Sequence, residues 1–208
     1  MTEPQAEGRS YPGAGHPIAE SLAAASALGT PLVFLCPRKS QSFASAFAEL
    51  EWRLQQTKDN IYLLIDAPPG GALLADFAAA GIQTLQLFPG DSDPALLEVA
   101  PVLVPCSDAQ MVLERFHSFW ARGFASILTS RADPQTLHLH LRKTLYVEVP
   151  GGELCILRFH DPRVLNRIAE VLMEDQIDEV FQDAIESFIF ENAGGDVQTL
   201  TRPQVVAE

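Results

Sequence analysis

The run Leu64-Ile65-Asp66-Ala67-Pro68-Pro69-Gly70 sets a carboxylate where an apolar stretch meets a group of chain breakers. In some nucleotide-binding proteins, a strand that ends in aspartate holds magnesium. That chemistry also needs a glycine loop with Gly-Lys-Ser/Thr to cradle the phosphates. The 208 residues contain no Gly-Lys pair and no Gly-x-Gly-x-x-Gly. What remains is a strand followed by a tight turn. His138 and His140 would share a face on a strand and could there bind a metal. The Asp133-Pro134 pair and the Leu137/Leu141 spacing place them on a helix instead, where residues two apart diverge, so structural, partly exposed histidines are expected. Cys155 lies among Leu154, Ile156 and Leu157. A reactive thiolate needs cationic, polar surroundings, so a buried thiol is expected. Cys36, Cys106 and Cys155 are far apart and read as reduced thiols of a cytosol. No Gly-x-Ser-x-Gly elbow supplies a serine nucleophile. The expectation is therefore no catalytic residue, no cofactor and no metal ligand: a protein that binds rather than catalyses.

One charged cluster stands out. Arg142 and Lys143 end one expected helix, Arg158 lies in a hairpin, and Asp161 and Arg163 begin the next helix at Pro162. Alternation along Leu154–His160 places Arg158 and His160 on one face and Leu157 and Phe159 on the other. Arg158 then points towards the start of the Asp161 helix. A structural ion-pair and capping cluster is expected, with a ligand site as the alternative, because both concentrate such groups.

Composition narrows the partners. The formal net charge is −13, whereas phosphate binding needs clustered Lys and Arg. Nucleic acid and anionic membrane surfaces are thus excluded as main partners. No apolar run reaches the ~20 residues that spanning requires. Met1–His16 carries Glu3 and Glu7 among Pro and Gly and does not read as a secretory signal. A cytoplasmic location is expected.

The elements that must position these residues follow from periodicity. Residues 1–29 read as a flexible arm, 30–131 as an N-terminal α/β lobe and 132–208 as a C-terminal lobe, together one domain. A short strand is expected at Leu32–Cys36. Phe43, Phe47, Leu50 and Leu54 define one face of a helix that ends near Asp59. Ile61–Ile65 is a continuous apolar run, as in a strand buried on both faces. Leu73–Ala80 reads as a helix and Thr84–Phe88 as the next strand. This order predicts parallel neighbours in a mixed sheet with flanking helices. Asp93-Pro94, Asp133-Pro134 and Asp161-Pro162 each predict an N-cap carboxylate before a first-turn proline, and Ser107 with Gln110 predicts a capping box. Leu145–Val149 and Leu154–Phe159 predict a central hairpin about Pro150-Gly151-Gly152. A long helix is expected from Pro162 to Phe181, then a terminal hairpin of Phe188–Phe190 and Val197–Leu200.

Several of these stretches are similar to one bacterial family. His140-Leu141-Arg142-Lys143, Pro150-Gly151-Gly152 and Arg158-Phe159-His160-Asp161-Pro162-Arg163-Val164-Leu165 resemble its hallmark. Tyr62-Leu63-Leu64-Ile65-Asp66-Ala67 and Ala100-Pro101-Val102-Leu103-Val104-Pro105 resemble its opening strand and middle segment, and Ser130 falls where the family often has a serine. The family is domain of unknown function 4123, whose members are adaptor chaperones of the type VI secretion system. The resemblance implies a protein that binds a secreted effector and helps load it onto a VgrG-type spike. The alternatives are an enzyme that binds nucleotide or metal at the Asp66 turn, and an immunity or regulatory protein that binds a toxin.

The last reading concerns partners. From Ile168 to Thr201 there is no Lys or Arg. Glu170, Glu174 and Asp178 recur at four-residue spacing, where like charges repel. This face is expected to steer a basic surface of the effector or spike, with Ile177, Phe181, Phe188 and Phe190 adding contact if they lie exposed.

Overall fold

The computed structural model describes residues 43–148, 152–171 and 174–201. The expected arm, the Leu32–Cys36 strand and Pro150-Gly151 of the turn lie outside the described residues. The strands are β1 (Asn60–Ile65), β2 (Leu85–Gln86), β3 (Val102–Cys106), β4 (Ala125–Ser130), β5 (Tyr146–Glu148), β6 (Leu154–Ile156), β7 (Ser187–Glu191) and β8 (Val197–Thr201). Six of them form one sheet in the order β2-β3-β1-β4-β7-β8, and β5 and β6 form a separate hairpin. The helices are α1 (Phe43–Gln56), α2 (Ala67–Ala79), α3 (Pro94–Glu98), α4 (Ala109–Leu113), α5 (Phe116–Phe119), α6 (Pro134–Thr144), α7 (Pro162–Val171) and α8 (Glu174–Phe181).

The sheet lies between two helical layers. Ile61, Leu63 and Ile65 of β1 point to one face, where they share a core with Leu50 and Leu54 of α1, Phe77 of α2, Val112 of α4 and Phe116 of α5. Tyr62 and Leu64 point to the other and join Leu137 and Leu141 of α6, Leu165 and Ile168 of α7 and Phe181 of α8. Residues along a strand alternate between faces, so both layers need apolar partners from β1. That is why its sequence is apolar without a break.

The α/β class with flanking helices and a hairpin stands, but the pairing differs from expectation. Every pair in the large sheet is antiparallel. β1 and β2 do run the same way, as a β-α-β unit requires, since each is antiparallel to β3. β3 has simply taken the place between them. Burial on both faces arises here from two helical layers rather than from parallel neighbours. The large sheet takes four strands from residues before 132 and two after it, through the β4–β7 pairing of Ile127 with Ile189.

Local chemistry explains several boundaries. Asp93, Asp133 and Asp161 each accept a backbone N–H in the first turn of the following helix, from Ala95, Gln135 and Arg163. The predicted Ser107 cap is corrected: Asp108 accepts from the Met111 N–H at 2.9 Å and is the N-cap of α4. The helix expected from Pro162 to Phe181 is described over two spans, Pro162–Val171 (α7) and Glu174–Phe181 (α8); residues 172 and 173 between them lie outside the described residues. Cys155 is exposed, not buried, because β5 and β6 stand outside the large sheet; among the described residues Cys106 is a buried thiol, and burial pushes its pKa up to about 12.

Pro68, Pro69, Gly70 and Gly71 begin a helix instead of breaking the chain. Prolines fit the first turn, whose N–H groups lack helical partners anyway. Gly70 is required by contact: a Cβ there would lie 2.3 Å from Cγ2 of Ile65 and 3.4 Å from the Phe124 ring. In an open helix interior Gly→Ala stabilises by up to about 1 kcal/mol. Here Gly70→Ala is expected to lower stability, by the ~1–3 kcal/mol typical of overpacking. Urea denaturation checks the sign, and an unchanged or raised midpoint would mean that the α2–sheet contact is looser than described.

Candidate functional site

The site lies at one end of the sheet. β1 finishes there at Ile65, paired with Ala125 at the start of β4, and Glu191 ends β7 beside it. Asp66 N–H donates to the Phe124 carbonyl at 2.8 Å, so the chain leaves β1 in a fixed direction. Opposite stands the segment between β6 and α7. Its Leu157 and Phe159 side chains enter the core, and Phe159 stacks on Phe188 at 5.5 Å. Ser126 Oγ donates to the Phe159 carbonyl at 2.8 Å. These ties deliver Arg158, His160 and Asp161 to the end of β1.

Arg158 Nη2 donates to Asp66 Oδ2 at 2.6 Å, and its Nε donates to Nε2 of His160 at 3.2 Å. Asp161 is a cap and an ion partner together: Oδ1 accepts from the Arg163 backbone N–H and from Arg163 Nε at 2.8 Å, and Oδ2 accepts from Nη2 at 2.7 Å. Arg158 Nη1 lies 4.0 Å from that same Oδ2. Both acids are withdrawn, with side chains 14% and 3% exposed for Asp66 and Asp161, while Arg158 and Arg163 are 45% and 56% exposed. Burial alone would raise the Asp161 pKa; the Arg163 side chain and backbone N–H, with the Arg163 and Arg158 charges, outweigh it and hold the carboxyl below its usual range.

His160 is 3% exposed. Accepting from Arg158 at Nε2 leaves its proton on Nδ1, which is buried with no hydrogen-bond partner among the described residues. Burial pushes its pKa down to about 4, the Arg158 charge adds to this, and Asp66 and Asp161 only partly oppose it. The imidazole is therefore neutral near pH 7.

The structure thus brings Arg158, Asp161, Pro162 and Arg163 together and adds Asp66 as the chief partner of Arg158. Sequence reasoning treated Asp66 separately, since 92 positions separate the two. Arg142 and Lys143 close the last turn of α6; no ion pair or hydrogen bond among the described residues joins them to this cluster. His138 and His140 diverge as expected. His138 Nε2 meets the Gln86 carbonyl at 2.7 Å, while His140, buried beyond expectation, meets the Val180 carbonyl at 2.7 Å. Ser130 Oγ donates to the Ala184 carbonyl at 2.5 Å and ties β4 to the turn after α8.

The contact set proposed from the acidic stretch is not assembled. Phe181, Phe188 and Phe190 are core residues, because β7 pairs with β4 and is covered by α8 and α7. Ile177 is half-buried against the same core. Glu170 is exposed but pairs with Arg167 at 3.0 Å, a basic residue just ahead of the counted stretch. Asp178 is half-buried, and Glu174 begins α8.

A further group was not anticipated. Glu191 accepts the backbone N–H groups of Ala121 and, at 3.1 Å, Gly123. Ala121 has a φ of 61° and Gly123 of 68°, the left-handed region that glycine tolerates and alanine resists. Burial raises the Glu191 pKa, the two amides oppose this, and Asp161 adds to the rise. Only Gly123, a residue type that tolerates a positive φ, signals this loop in the sequence.

Two outcomes test the cluster. Asp161→Ala removes a cap and a buried ion partner and is expected to cost about 2 kcal/mol, the upper range for a cap, read by urea denaturation. The folded His160 binds its proton near pH 4 and the unfolded one near 6.5, so stability from this residue falls as pH drops from 6.5 towards 4. Between pH 7 and pH 5 the loss is about 2 kcal/mol, and His160→Phe should remove that part of the slope. Equal slopes in the two proteins would show that His160 charges freely in the folded state.

No curated protein and no solved structure matches the chain. Among the described residues, no helix is long and apolar enough to cross a membrane. The profile of one family, described as a domain of unknown function (DUF4123), matches residues 61–179. That span opens on β1 and contains every residue of the Asp66–Arg158–Asp161–Arg163 cluster. The chain belongs to the DUF4123 family.

Proposed function

We propose that this protein is an adaptor chaperone that binds a secreted effector in the cytoplasm and helps load it onto a VgrG-type spike of a type VI secretion system. The observation that carries the reading is the family match over residues 61–179, together with the role that the resemblance implies for the protein. The geometry supports a binding role. Asp66, the residue on which a nucleotide or metal site would rest, already accepts from Arg158 at 2.6 Å. Using it for an ion would first cost that ion pair. The acids of the cluster face inward and its guanidiniums face solvent, which suits a rigid surface offered to another protein.

Secretion tests this reading. In a strain lacking the chain, the effector that it binds should stay inside the cell while the spike is still exported, and re-expression should restore secretion. The purified chain should also co-elute with toxin and spike. Normal toxin export without the chain would reject the adaptor role, and stoichiometric neutralisation of the toxin's activity would assign it to immunity instead.

A further inference from the structure

A cavity of about 280 Å³ opens beside the cluster, lined by Arg122, Gly123, Arg163, Asn166, Glu191 and Asn192 among others. Its charges are sorted by depth. Glu191 turns inward onto the Ala121 and Gly123 N–H groups, and Asn166 donates to the Glu191 carbonyl at 2.8 Å. Arg122 is exposed, and its side chain makes no hydrogen bond or ion pair among the described residues. Arg163 spends Nε and Nη2 on Asp161, and its Nη1 has no partner among the described residues. Arg158 spends Nε and Nη2, and its Nη1, 4.0 Å from Asp161, is beyond hydrogen-bond range. A guanidinium has five N–H donors, so this rim presents several unspent ones on a backbone fixed from three strands.

We propose that the Arg122–Arg163 cavity, with Arg158 beside it, is the contact that accepts an Asp or Glu side chain from an acidic segment of the protein's partner. Guanidinium forks match carboxylates in shape as well as charge. The overall charge of −13 does not forbid this. Exposed charges further off than the ~8 Å Debye length of physiological salt are largely screened, so the near rim decides the contact. The inference rests on the adaptor reading and names a contact that such a protein would use.

The test uses the full chain and a fluorescein-labelled peptide of alternating Glu and Gly, titrated by fluorescence anisotropy at low and moderate salt. Wild type should bind it more weakly as salt rises, and should not bind the matching Lys-Gly peptide. Arg122→Glu should weaken binding by about tenfold or more at an unchanged melting temperature, since Arg122 is exposed. Lys58→Glu makes the same charge change at the opposite end of β1 and should have no effect. The proposal is overturned if the Glu-Gly peptide does not bind at millimolar concentration, if Arg122→Glu binds it as wild type does, or if Lys58→Glu weakens it equally. Toxin and spike co-elution with Arg122→Glu separates the two readings. Undiminished co-elution would retire the cavity and leave the adaptor role intact, whereas absence of co-elution with wild type would reject the adaptor role whatever the peptide does.

Discussion

Strand β1 is hydrogen-bonded along both edges, to β3 and β4, and covered on both faces by helices. A backbone so enclosed has no access to water, and each of its polar groups must find a protein partner. The ladders meet this demand from Ile61 to Ile65. The next residue is Asp66, at the point where the sheet ends and a charge first becomes affordable. Its carboxylate still needs a cation, because an unpaired charge so near the interior is costly. Arg158 supplies it from a segment that the Phe159 ring anchors in the opposite core layer. The enclosure of one strand thus fixes where the charged cluster forms.

The segment from Leu157 to Arg163 carries several functions in seven positions. Leu157 and Phe159 fill the core, Arg158 closes the end of β1, Asp161 caps α7, and Arg163 neutralises the cap. Packing it this tightly leaves the Nδ1–H of His160 without a partner among the described residues. A buried donor without a partner costs roughly 1–3 kcal/mol. Protonation would leave that N–H unmatched and add a second positive charge beside Arg158 in a buried site, so the ring stays neutral near pH 7. The result is an ion-pair frame that is rigid at its base and cationic at its rim.

The groups at this end of the sheet take their positions from strand ends and from the segments tied to them. Glu191, Gly123 and Asp66 are all residues at or next to strand ends. Their relative placement follows from strand register, which a one-residue slip would invert. A guanidinium already held by a carboxylate, as those of Arg158 and Arg163 are, has less conformational entropy left to lose in a further contact than a free one.

Local features were legible in the sequence because local forces decide them. The three Asp-Pro caps, the α1 face through Leu50 and Leu54, the β5–β6 pairing and the apolar run of β1 each rest on contacts within a few residues. The family could be identified from residues 140–165 for the same reason, since a motif is local text. Tertiary structure alone decided the rest. β3 lies between β1 and β2 and pairs antiparallel with both, and nothing in β1 itself distinguishes that from parallel neighbours. Asp66 and Arg158 met across 92 positions, as did Glu191 and the Ala121–Gly123 loop across about 70. Phe181, Phe188 and Phe190 were apolar enough for either a core or a contact surface, and the pairing of β7 with β4 assigned them to the core. The sequence determined which groups carry charge and which are apolar; only folding decided their distances, because electrostatic and packing energies depend on separation in space and not along the chain.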